Sequence, residues 1–213
     1  MPVKNRISEY ENKMKDWRHY FHQNPELAYK ETNTAKKIVS LLNSFGVDKI
    51  EEGIGGTGVV AVIENGNGKS IGLRADMDAL PIFEENKNKP YCSKNTGIMH
   101  ACGHDGHTVM LLGAAKYLSE TRNFQGRIIL IFQPAEEGFA GAKAMIDDGV
   151  LEKYPIEEIY GMHNMPGLKE GMLAIEPGPR LAAADNFIVE IKGKGAHGAM
   201  PSNSVDPIVC GSS

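Results

Sequence analysis

The chain has 213 residues, 41% hydrophobic and 23% charged, with a formal net charge of −4. That is ordinary globular composition, which excludes a disordered or fibrous chain and offers no basic surface for nucleic acid. No apolar run approaches the roughly 20 residues of a membrane span, and the polar N-terminus lacks the apolar core of a signal peptide. With Cys92, Cys102 and Cys210 too few for a disulfide framework, a reducing, cytoplasmic setting is expected.

Ile7, Tyr10, Met14, Trp17 and Phe21 recur at three- and four-residue steps, the stripe of an amphipathic helix. Ser8 followed by Glu11 resembles a capping box at its start, and Asn24-Pro25 ends it. His19 and His22 lie near that end, where the helix C-terminus or solvent is expected to satisfy them. A second helix is predicted over residues 32–45, with Ala35, Ile38, Leu42 and Phe45 inward and Gly46 closing it.

The period then changes. Residues 59–63 form a run that is β-branched except at Ala61, and after the turn Asn65-Gly66-Asn67-Gly68 comes a second short run, Ile71-Gly72-Leu73. The two read as a hairpin or as neighbouring strands. Residues 109–118 read as a well-buried helix, and 127–132 as a strand inside a covered sheet. A short helix over 140–148, closed by Gly149, precedes a strand over 159–162 that ends at His163. This alternation predicts an α/β sandwich with a mostly parallel sheet.

From about Asn186, Phe187, Val189 and Ile191 alternate with Ile188, Glu190 and Lys192, predicting a strand with one buried face. A glycine-rich loop over 193–201 and the start of a helix at 205–209 follow. We therefore expect a domain over 1–184 and the beginning of a second over 185–213. A helix that stops within about two turns of its start buries little apolar surface, so the sequence is expected to be a truncated piece.

Candidate chemistry gathers at loops and strand ends. Residues 99–108 read Met-His-Ala-Cys-Gly-His-Asp-Gly-His-Thr. Gly103 and Gly106 disfavour a continuous helix there, and a turning backbone can aim thiolate and imidazole at one point. That donor set suits zinc, and added carboxylates admit manganese or cobalt. The bland reading is a His-rich turn beside a buried cysteine. Asp76 and Asp78 follow the strand ending at Leu73-Arg74, where they can support a metal site or close an Asx turn. Glu136 and Glu137 follow the most buried strand. One can ligate a cation while its neighbour takes a proton from water, or the pair can simply open the next helix. His163 ends another strand, and His197 sits between glycines in the expected second domain.

Residues 73–81, 99–108, 132–138, 163–167 and 193–201 together resemble the successive motifs of the amidohydrolase branch of the zinc aminoacylase and carboxypeptidase family. The similarity covers nearly the whole chain in order. It implies a three-layer α/β sandwich with an inserted lid and dimerisation domain, and hydrolysis of the amide bond of N-acyl amino acids. It further implies two divalent metal ions (zinc, manganese, cobalt or nickel) held by Cys102, His104, Glu137 and His163. By the same resemblance Glu136 is the general base acting on a metal-activated water, Asp78 supports the metal site, and His197 steadies the oxyanion across a homodimer. Family members are much longer, and their last metal-binding histidine lies beyond residue 213. Two alternatives stand beside this reading: Cys102 as a nucleophile activated by His104 or His163, and a non-catalytic form that binds metal or pairs with another subunit.

Overall fold

The computed structural model describes residues 3–179 and 187–213. The chain divides into two compact units, residues 1–170 and 171–213.

The first unit is an α/β sandwich on a five-stranded sheet of order β1-β2-β4-β3-β5. The strands are β1 (Lys49–Ile54), β2 (Gly58–Asn65), β3 (Ser70–Asp76), β4 (Gly126–Gln133) and β5 (Glu158–Gly161). β3 pairs in parallel with both β4 and β5, whereas β2 pairs antiparallel with both β1 and β4. Four strands therefore run one way and β2 alone is reversed.

The continuous apolar runs of β2 and β4 follow from burial on both faces. Side chains alternate across a strand, so Val59, Ala61, Ile63, Ile128, Leu130 and Phe132 feed one core cluster. The intervening Val60, Val62, Ile129 and Ile131 feed the other. Helices α2 (Glu11–Gln23), α3 (Thr32–Phe45) and α4 (His104–Thr121) supply Phe21, Ile38, Leu42, Leu112 and Ala115 to the first. Helices α5 (Gly141–Asp147) and α6 (Val150–Lys153) supply Met145 and Val150 to the second, making three layers.

Several expectations change. Helix α3 has the bounds read from sequence, with Gly46 left-handed at φ 72°. The first predicted helix instead starts after Tyr10, not Ser8, without a side-chain cap, and a separate short helix α1 (Val3–Ser8) precedes it. β2 and β3 are neither a hairpin nor neighbours, because β4 inserts between them. An apolar strand from far along the chain covers both of their edges better than a local turn could. β1 is half exposed, carries Lys49, Glu51 and Glu52, and had no alternation to announce it. Helix α4 begins at His104, five residues earlier than read. Gly106 lies inside it, and the roughly 1 kcal/mol helix cost of a glycine is offset by burial of Val109, Leu111, Leu112 and Ala115.

One buried carboxylate braces the architecture. Glu31 is fully buried at the start of α3, where its two oxygens accept the Ala135 backbone N–H at 2.9 Å and the Thr57 hydroxyl at 2.6 Å. Burial pushes its pKa up against the pull of those donors. Glu31→Ala strands both, and chemical denaturation is expected to register a loss of about 2 to 4 kcal/mol. Glu31→Gln keeps a partner for each and is expected to stay within about 1 kcal/mol of the parent. Equal losses for the two variants would refute this account.

In the second unit the described residues contain a 3₁₀ turn, Pro201–Asn203, and helix α7 (Pro207–Ser212) capped by Asp206. The strand expected over 187–192 is not formed. Phe187, Ile188 and Val189 are exposed, and the nearest ladder contact is a single bridge between Lys194 and Val205. Alternation makes a strand only where a partner satisfies its backbone groups. No described helix is long and apolar enough to cross a membrane.

Candidate metal centre

The expected site residues of the first unit converge at the carboxyl ends of β3, β4 and β5, where α/β sheets gather ligands. Gly103, left-handed at φ 91°, turns the chain into α4 so that His104 opens the helix, fully buried. Asp78, also buried, holds that imidazole: its Oδ1 faces His104 Nδ1 at 3.3 Å, and its Oδ2 accepts the Glu137 N–H at 3.0 Å. Burial opposes ionisation of Asp78, but His104 and the backbone amides of Glu137 and Glu136 keep its pKa below the usual carboxylate value.

His104 Nε2 is buried without a hydrogen-bond partner, and so is Glu137 Oε1. These two atoms lie 3.8 Å apart, too far for a hydrogen bond but suited to sharing a cation between them. Glu136 Oε2 stands 3.9 Å from the same nitrogen with its side chain more open to solvent. Cys102 Sγ lies 3.4 Å from His163 Nε2, and the ligand atoms of Cys102, His104 and His163 fall within 4.8 Å of one another. His104, Glu136 and Glu137 form a second such group. A set of sulfur, imidazole nitrogen and carboxylate oxygen with orphaned buried atoms fits divalent cations of the zinc type. Burial and the carboxylates of Glu137, Glu136 and Asp76 push the Cys102 thiol up to about 12. A thiol in that field stays protonated unless a cation offsets the negative charge.

The sequence profile described as peptidase family M20/M25/M40 matches residues 72–209. The chain belongs to this family. Among curated relatives, the hippurate hydrolase of Campylobacter jejuni is 48% identical over 207 residues, covering 97% of this chain and 53% of that one. The N-acetyl-L-cysteine deacetylase of Bacillus subtilis is 47% identical, covering 95% of this chain and 48% of that one. The chain thus spans about half the length of these curated relatives. The Bacillus subtilis YXEP protein, described as a dinuclear metal binding peptidase of the M20 family, superposes with a TM-score of 0.75 at 40% identity. That match covers 81% of this chain and 48% of the other.

Around the site of this M20-family chain, several side chains meet partners that no local spacing announced. Asp76 is buried, and although burial resists its charge, His107, Arg74 and His104 hold its carboxyl down at about 2. His107 and Asn164 meet beside the same cluster. His22, expected to meet the helix C-terminus or solvent, lies between Asp105 at 2.9 Å and Glu84 at 3.3 Å. The spacing of His104 and His107, one helical turn apart, was the available signal for His107, masked by the expectation that Gly106 breaks the helix. His197 lies in the second unit, where its Nδ1 accepts the Ala199 N–H at 3.1 Å.

Proposed function

We propose that this chain carries a two-cation hydrolytic centre for the amide bond of N-acyl amino acids. The observation that carries the reading is the pair of buried, unpartnered atoms, His104 Nε2 and Glu137 Oε1, flanked by Cys102 and His163. In the proposal Cys102, His104, Glu137 and His163 hold zinc, manganese, cobalt or nickel. When bound, such cations act as Lewis acids toward water and a carbonyl oxygen. Glu136 Oε2 takes a proton from the attacking water as its oxygen bonds to the amide carbon. The same oxygen then delivers that proton to the leaving nitrogen as the C–N bond breaks, giving a carboxylate and an amine. Asp78 keeps the His104 ring aimed at the cations. His197 is assigned hydrogen bonding to the developing oxyanion, and the second unit pairing with a second copy.

The relatives named for hippurate and N-acetyl-L-cysteine support the substrate class. A nucleophilic Cys102 is disfavoured by the elevation of its thiol to about 12. The test is hydrolysis of acetyl-, benzoyl- and arylacetyl-amino acids before and after chelation. Turnover is expected to vanish with chelator and to return on adding Zn²⁺, Mn²⁺, Co²⁺ or Ni²⁺. Turnover that survives chelation but not cysteine alkylation would replace this reading with the thiol mechanism.

A further inference from the structure

We propose that His107 is a positioning residue that fixes His163 by holding Asn164 against Asp76. The proposal rests on the reading of this cluster as a metal centre. His163 needs such an anchor because it follows β5, a four-residue strand whose side chains are all exposed and which pairs, among the described residues, only with β3. The polar contacts of its own ring among the described residues are Cys102 Sγ at 3.4 Å and the Asn164 carbonyl at 2.7 Å. Neither ties it to the buried sheet.

Asn164 supplies that tie. Its backbone N–H donates to His107 Nε2 at 3.0 Å, and its side-chain amide lies against the same nitrogen at 2.5 Å. On the other side of the ring, His107 Nδ1 meets Asp76 Oδ1 at 2.6 Å, and Asp76 in turn accepts from Arg74 at 2.7 Å. The ring is 2% exposed and stands edge-on to His163, with centroids 4.6 Å apart. A Cβ on Gly103 would fall 2.5 Å from Asn164 Oδ1, so bare backbone there admits the amide. Asp76, His104 and His107 could by distance alone hold an ion. Yet both nitrogens of His107 are engaged, whereas Nε2 of His104 is not, which makes His107 a brace and His104 a ligand.

His107→Asn separates the two contacts: the shorter amide can still reach Asp76 but falls short of Asn164. Co²⁺ titration of the full chain, followed by visible absorption and calorimetry, reads the outcome. For His107→Asn and for Asn164→Ala, the Co²⁺ site that includes His163 is expected to lose about 10- to 100-fold in affinity and to change its absorption band, with little change in thermal midpoint. The double variant is expected to be no worse than either single one. Co²⁺ binding like the parent in both single variants, or losses that add in the double, would overturn the proposal. A parent chain that takes up no Co²⁺ would overturn the metal-centre reading, and this inference with it, a result distinct from variants that match a metal-binding parent.

Discussion

Glu136→Gln is expected to lower the turnover of N-acyl amino acids by about 10²- to 10⁴-fold while leaving divalent-metal content unchanged. The two neighbouring glutamates have different surroundings. Glu137 presents a buried oxygen with no hydrogen-bond partner. Glu136 has the more open side chain, 39% against 26% exposed, at nearly the same distance from His104 Nε2. A carboxylate with a buried, unpartnered oxygen suits a ligand, and one open to water suits a proton carrier. Glutamine preserves the shape of Glu136 but cannot accept and return a proton at neutral pH. Metal analysis beside steady-state rates separates the two roles. A variant that loses its metal, or that keeps the parental rate, would remove Glu136 from the place assigned to it.

The second large effect is expected at Asp78. Its two oxygens reach two structures at once, the His104 ring at the start of α4 and the Glu137 amide after β4. Asp78→Ala releases both, so metal affinity measured by competition with a chromophoric chelator should fall about 10- to 100-fold. Asp78→Asn retains one acceptor oxygen and should recover part of that affinity. If Asp78→Ala binds Zn²⁺ within about threefold of the parent, the carboxylate is not orienting the ligand, since such partners ordinarily contribute more.

These two expectations draw on residues already visible in sequence, and the reason is chemical. Cys102, His104, Glu136, Glu137 and His163 are residue types whose donor atoms suit a cation, and their order matches a family pattern. Helix α3 was equally legible, because a 3.6-residue stripe and a closing glycine are local signals. The run in β4 announced a strand covered on both faces for the same reason. Alternation misled at 187–192, where the apolar side chains stand exposed beside a single bridge.

By itself, then, the sequence determined helix α3, the covered strand β4 and the membership of the family, since each is written in local period or in the order of residue types. The tertiary structure alone decided that β4 separates β2 from β3, that Glu31 braces the 134–138 loop, and that His107 joins Asp76 to Asn164. Each of these is a contact between residues about 30 or more apart along the chain, and no local spacing encodes which distant edge or buried polar group a segment will meet.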